Sequence, residues 1–162
     1  MDSIEDLLAE WQRRTMVMHI SHHRSASRYS FYHRWFGSIV SGLSALVASS
    51  IFVVALDSKN IYAFYIAAFT SLLTAILSGV NSSINLPRLA EMHHSAATGF
   101  QGLRIEIEEE LVRVKNGDVK ESYEHIRNKW NDVLKSTPAL PQGIHDEEYK
   151  KSMQSTANTS AD

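Results

Sequence analysis

Residues 35–56 read WFGSIVSGLSALVASSIFVVAL, a run without one ionisable side chain. Residues 61–86, IYAFYIAAFTSLLTAILSGVNSSINL, form a second such run. At about 1.5 Å of rise per residue, helices of these lengths reach roughly 33 and 39 Å. Either one crosses a bilayer core of about 30 Å. Two consecutive uncharged runs of this length are hard to bury in a soluble bundle made from 162 residues. Both are therefore read as transmembrane helices.

Only Asp57-Ser58-Lys59-Asn60 separates the two runs. So short a polar turn requires an antiparallel hairpin. Arg13, Arg14, Arg24, Arg28 and Arg34 precede the first span, Arg88 and Arg104 follow the second, and the turn offers only Lys59. The positive-inside rule then puts both termini in the cytosol. Trp35 and Phe36 suit the inner interface, and Tyr62 and Tyr65 the outer one. A plasma or inner membrane is the expected location.

The flanking segments read as helical. Ser3 and Asp6 fit a variant of the capping box, and Ile4, Leu7, Leu8, Trp11 and Met18 recur at helical spacing. This amphipathic segment suits a cytosolic bundle better than the membrane surface. After the second span, Phe100, Leu103, Ile107, Leu111 and Val114 form a heptad-like stripe. Asn116-Gly117-Asp118 interrupts it, and Asp118 with Glu121 can cap a following helix. Tyr123, Ile126, Trp130, Val133 and Leu134 line that helix, and Pro138 and Pro141 end it. From Asp146 onward little remains to bury, which predicts disorder.

The expected fold is thus an all-α membrane protein, a two-helix transmembrane hairpin with cytosolic N- and C-terminal helices, assembled as a homo-oligomer. Its parts are a cytosolic amphipathic helix over 1–34, spans over 35–56 and 61–86, an outer turn over 57–60, a cytosolic helical region over 87–145 and a disordered tail over 146–162. The first 34 residues are too polar for a signal peptide, so the first span would act as an uncleaved anchor. A formal net charge of −2, with no basic stripe, gives no sign of a nucleic-acid partner. The chain has no cysteine, so disulfides, thiolate chemistry and cysteine metal sites are absent.

The first span carries Ser38, Ser41, Ser44, Ser49 and Ser50, an odd load for a passive anchor. Helices in lipid associate by close packing and interhelical hydrogen bonds rather than by hydrophobic drive. Gly37, Ser41, Ala45 and Ser49 recur every four residues, a small-residue ladder suited to meeting another helix. Ile39, Val40, Leu43, Leu46, Val47 and Val54 are expected to face lipid. The second span repeats the ladder with Ala67, Ser71, Ala75 and Gly79, extended by Ala63 and Ser83. It also carries Thr70, Thr74, Ser78, Asn81 and Asn85 within an arc of roughly 80°. Hydroxyls can bond back to their own helix, but an asparagine in lipid needs a partner or water. This stripe is the candidate pore lining, with dry interhelical contact as the competing reading. Pro87 follows it as a candidate hinge.

His19, His22 and His23 share helical spacing, and His93-His94 follows the second span. A pair such as His19/His23 can bind zinc, but no third ligand stands at a fixed offset, so no metal is expected. Proton sensing near the membrane surface is a further option, but the leading reading is that the histidines are ordinary polar helix residues. Glu106, Glu108, Glu109 and Glu110 read as a solvated helix face. Neither a phosphate loop, nor HExxH, nor a nucleophile elbow occurs, so no enzyme and no cofactor is expected. A potassium-type filter has no room between the spans.

The order of parts, with YHRWFG at residues 32–37 and WNDVLKSTPALP at 130–141, resembles the SLATT superfamily. These are two-transmembrane effector domains associated with nucleotide-second-messenger conflict systems. The resemblance runs from about Leu7 to Pro141 and rests on diffuse patterns. It implies a defence effector that perturbs the membrane or forms an ion-conducting pore when triggered. No sensor or enzyme domain is attached in this sequence, so an upstream sensor protein is an expected partner, besides the lipid bilayer and further copies of the chain. The alternatives are a non-conducting adaptor whose cytosolic helices recruit a partner, and a holin-like lysis protein.

Overall fold

A computed structural model describes residues 4–56, 60–115 and 120–159. The described residues are all-α: α1 (Ile4–Leu56), α2 (Ile61–Ile84), α3 (Leu86–Lys115), α4 (Lys120–Ser136) and α5 (Gln142–Thr159). Two helices are long and apolar enough to cross a membrane. The chain divides into two compact units, Met1–Ser27 with Ala90–Asp162, and Arg28–Leu89.

The first unit gathers the start of α1 with α3, α4 and α5 around an apolar core. Leu8, Leu103, Ile107, Val114 and Ile126 are buried together, and Ile4, Trp11, Leu111 and Trp130 pack on them. The heptad-like stripe of α3 thus turns inward as its spacing requires. Aromatic contacts extend this core. Trp11 meets Tyr123 edge-on at 5.9 Å and Trp130 at 5.4 Å between ring centroids, and Trp130 meets Phe100 at 5.6 Å. Ion pairs decorate the rim, among them Lys129 with Glu106 and Arg24 with Glu147 and Glu148. Exposed pairs of this kind contribute little, so packing dominates. The acidic run is not wholly solvated: Glu110 is buried and pairs with Arg113.

Three differences from the sequence reading stand out. α1 is one helix of 53 residues, with no end near Arg34. It contains no proline, and its glycines, Gly37 and Gly42, stand alone within helical sequence, so nothing local stops it. Next, the segment from Asp146, where composition predicts disorder, is helical to Thr159. Its anchors are buried Ile144, Tyr149 beneath the Arg13 guanidinium at 5.6 Å, and the two glutamates held by Arg24. Lastly, the helical break lies at Asn85 rather than Pro87. Asn85 takes a left-handed conformation (φ 48°, ψ 51°) as the C-cap of α2, a role asparagine tolerates better than most residues. Its carbonyl oxygen accepts the Leu89 amide at 3.3 Å. Pro87 falls in the first turn of α3, where a missing N–H costs nothing.

Ser3, residues 57–59 of the turn and the Asn116-Gly117-Asp118 interruption lie outside the described residues. Asn60 is described, and its side chain caps α2 by accepting the Ala63 amide at 3.2 Å.

Candidate functional site

Within the second unit, the end of α1 and α2 form the membrane hairpin. On α1, Phe36, Val40, Leu43, Val47 and Val54 are half-buried, at the three- and four-residue intervals of a helix seam. On α2 the shielded positions are Ala63, Ala67, Thr70, Leu73, Thr74, Leu77 and Asn81. Val47, Ile51 and Val54 share an open groove with Phe64, Ala67, Ala68 and Ser71. Val47 and Val54 of α1 thus border the same space as Ala67 and Ser71 of α2.

This corrects the expected faces of α1. Val40, Leu43, Val47 and Val54 turn toward α2, while Ile39 and Leu46 stay exposed. The ladder residues Ser41, Ala45 and Ser49 are exposed, and Gly37 is half-buried. On α2, Ser71, Ala75 and Gly79 are exposed and Ala67 is half-buried. A Cβ added at Gly37 or Gly79 would meet nothing within 4 Å. Packing inside the hairpin does not account for glycine at either position.

The polar stripe splits. Thr70 is buried, Thr74 and Asn81 are half-buried, and Ser78 and Asn85 are exposed. The Thr70 hydroxyl donates to the Ile66 carbonyl at 2.6 Å, and the Thr74 hydroxyl to that of Thr70 at 2.7 Å. Ser44, Ser49 and Ser83 likewise donate one turn back, to Val40, Ala45 and Gly79. These hydroxyls are satisfied without a second helix. Asn81 differs: its Oδ1 is shielded from solvent and has no hydrogen-bond partner. An amide left so in an apolar medium costs free energy until a donor or water reaches it.

The histidines fall in the first unit. His22 and His93 are buried and face each other with Nδ1 atoms 2.9 Å apart. His19 Nδ1 lies 2.9 Å from the Ala97 carbonyl oxygen, and His23 stacks beside His19 at 6.2 Å between rings. Among the described residues, no three histidine or carboxylate side chains stand close enough to hold a metal ion. Sequence spacing marked the cluster but not the pairing, because i and i+3 positions do not say which partner helix they meet.

A family model described as the SMODS and SLOG-associating 2TM effector domain family 4 matches residues 4–152. No curated protein and no solved structure matches the chain.

Proposed function

The chain belongs to the SMODS and SLOG-associating 2TM effector domain family 4, and from that premise we propose that copies of it assemble in a membrane and open a water path through it. The family makes this a two-transmembrane membrane effector domain of conflict systems. Two spans cannot enclose a path alone, so conduction requires a ring of protomers.

One observation carries the reading: most of the ladder positions stay exposed in the hairpin, although Ala67 and Ser71 border its groove. Ser41, Ala45, Ser49, Ser71, Ala75 and Gly79 are exposed, with open space over Gly79. Close helix approach in lipid needs such a surface, and a second copy supplies the partner that the protomer lacks. Assembly also offers a donor or water to Asn81 and wets Ser78 and Asn85. In this reading both termini are cytosolic, an upstream sensor supplies the trigger, and the bilayer is a plasma or inner membrane. No chemical step is required.

Thr70 and Thr74 favour a second reading, since their hydroxyls are already satisfied on α2 and shielded in the hairpin. The stripe would then be helix contact alone, and the protein an adaptor whose cytosolic helices recruit a partner. Ion flux from sealed liposomes carrying the purified chain separates the two.

A further inference from the structure

Nothing in the pore reading uses the buried histidines. His22 of α1 and His93 of α3 are 0% and 2% exposed, with ring centroids 5.1 Å apart and Nδ1 atoms at 2.9 Å. Their stack continues to Phe100 at 5.6 Å. A contact between two imidazole nitrogens holds only if one ring donates its Nδ1–H to the lone pair of the other. A proton taken up at the accepting Nδ1 removes that lone pair and sets two N–H groups head to head. Where His22 is the donor, a proton on its far nitrogen keeps the bond but buries a charge, because His22 Nε2 has no partner to receive it.

We propose that His22 and His93 form a proton-binding site that fastens α1 to α3 while the pair is neutral and releases them on acidification. The ligand is the proton, and the helices it joins lead in sequence into the two spans.

The surroundings offer little to hold a charge on His22. On α1, His19 is engaged with Ala97 and the exposed His23 approaches His94 of α3 at 6.5 Å. From α4, apolar Trp130 packs on Phe100, and on α5, Glu147 and Glu148 are taken by Arg24 and Lys151. Burial, followed by repulsion from His93, pushes His22 down to about 4, and burial lowers His93 as well. A lowered histidine means that the opened state binds more protons than the closed one. The closing contribution is therefore present above the ordinary histidine value of about 6.5, and is lost as pH falls toward 4. From about pH 7.5 to 4.5, His22 alone would shift the open-to-closed ratio by roughly several tens of fold.

The test uses the full chain in liposomes, with spin labels on Ser27→Cys and Ser95→Cys, two exposed positions in a protein without native cysteine. The inter-label distance is read from about pH 7.5 to 4.5. A longer-distance population should grow as pH falls, stay when His23 and His94 are changed to Gln, and vanish when His22 and His93 are both changed to Leu. A distance distribution of the native sequence that does not move overturns the proposal, whether or not the Leu variant folds. A response abolished by the His23 and His94 changes assigns it to the surface histidines and overturns the proposal equally.

Discussion

The Thr74 hydroxyl donates to the Thr70 carbonyl oxygen, one turn back on α2, at 2.7 Å. Repeated at Ser44, Ser49 and Ser83, this bond explains how the spans carry hydroxyls without penalty. It also removes Ser44, Ser49, Thr70, Thr74 and Ser83 from the list of groups that demand a partner. The demand rests on Asn81, whose shielded Oδ1 has none.

If Asn81 and its neighbours meet water in the assembly, single cysteines will report it. Thr74→Cys, Ser78→Cys and Asn81→Cys should react with a water-soluble thiol reagent and block current, whereas Leu46→Cys and Phe52→Cys, exposed on the outside of the hairpin, should stay unreactive in lipid. Equal protection of all five in a conducting preparation rules the stripe out as the wall. In the adaptor reading, Asn81→Leu instead loosens helix contacts by about 0.6 kcal/mol per lost hydrogen bond.

The ladders make a separate demand. A Cβ at Gly79 meets nothing within 4 Å and the position is exposed, so the Gly79→Leu hairpin should form and insert, with helix content unchanged. Crosslinked oligomers should nevertheless fall sharply, and Ser41→Leu should act in the same direction, because a large side chain holds backbones apart. Undiminished crosslinking in both variants places the contact elsewhere.

Much of this architecture was legible in the residues. The hydrocarbon core imposes length and apolarity on any span, so the presence of two membrane-crossing helices declares itself. The α3 stripe from Phe100 to Val114 is equally plain, since helical spacing of large apolar residues has few other uses. The seam of the hairpin was not legible, because every residue near it is apolar and periodicity cannot say whether Val40 and Val47 meet lipid or α2. Pro87 drew attention as the hinge because proline is the strongest breaker, yet an asparagine two residues earlier makes the turn. The His22–His93 contact depends on the register between α1 and α3, which no local pattern encodes. For α5, low apolar content predicts disorder, whereas ion pairs and one buried isoleucine, Ile144, hold the helix.

The proposed topology rests on the arginines flanking the spans. A tag at either terminus should be cleaved by protease only from the cytosolic face of sealed vesicles. A tag accessible from the opposite face contradicts the arrangement.

Ion flux through liposomes reconstituted with the purified full chain tests the central claim most directly. The pore reading expects a leak that rises more steeply than linearly with protein-to-lipid ratio, as assembly requires, and that Gly79→Leu suppresses. Tight liposomes containing inserted, crosslinkable oligomers, at the acidic as well as the neutral end of the histidine range, would contradict it and leave the adaptor.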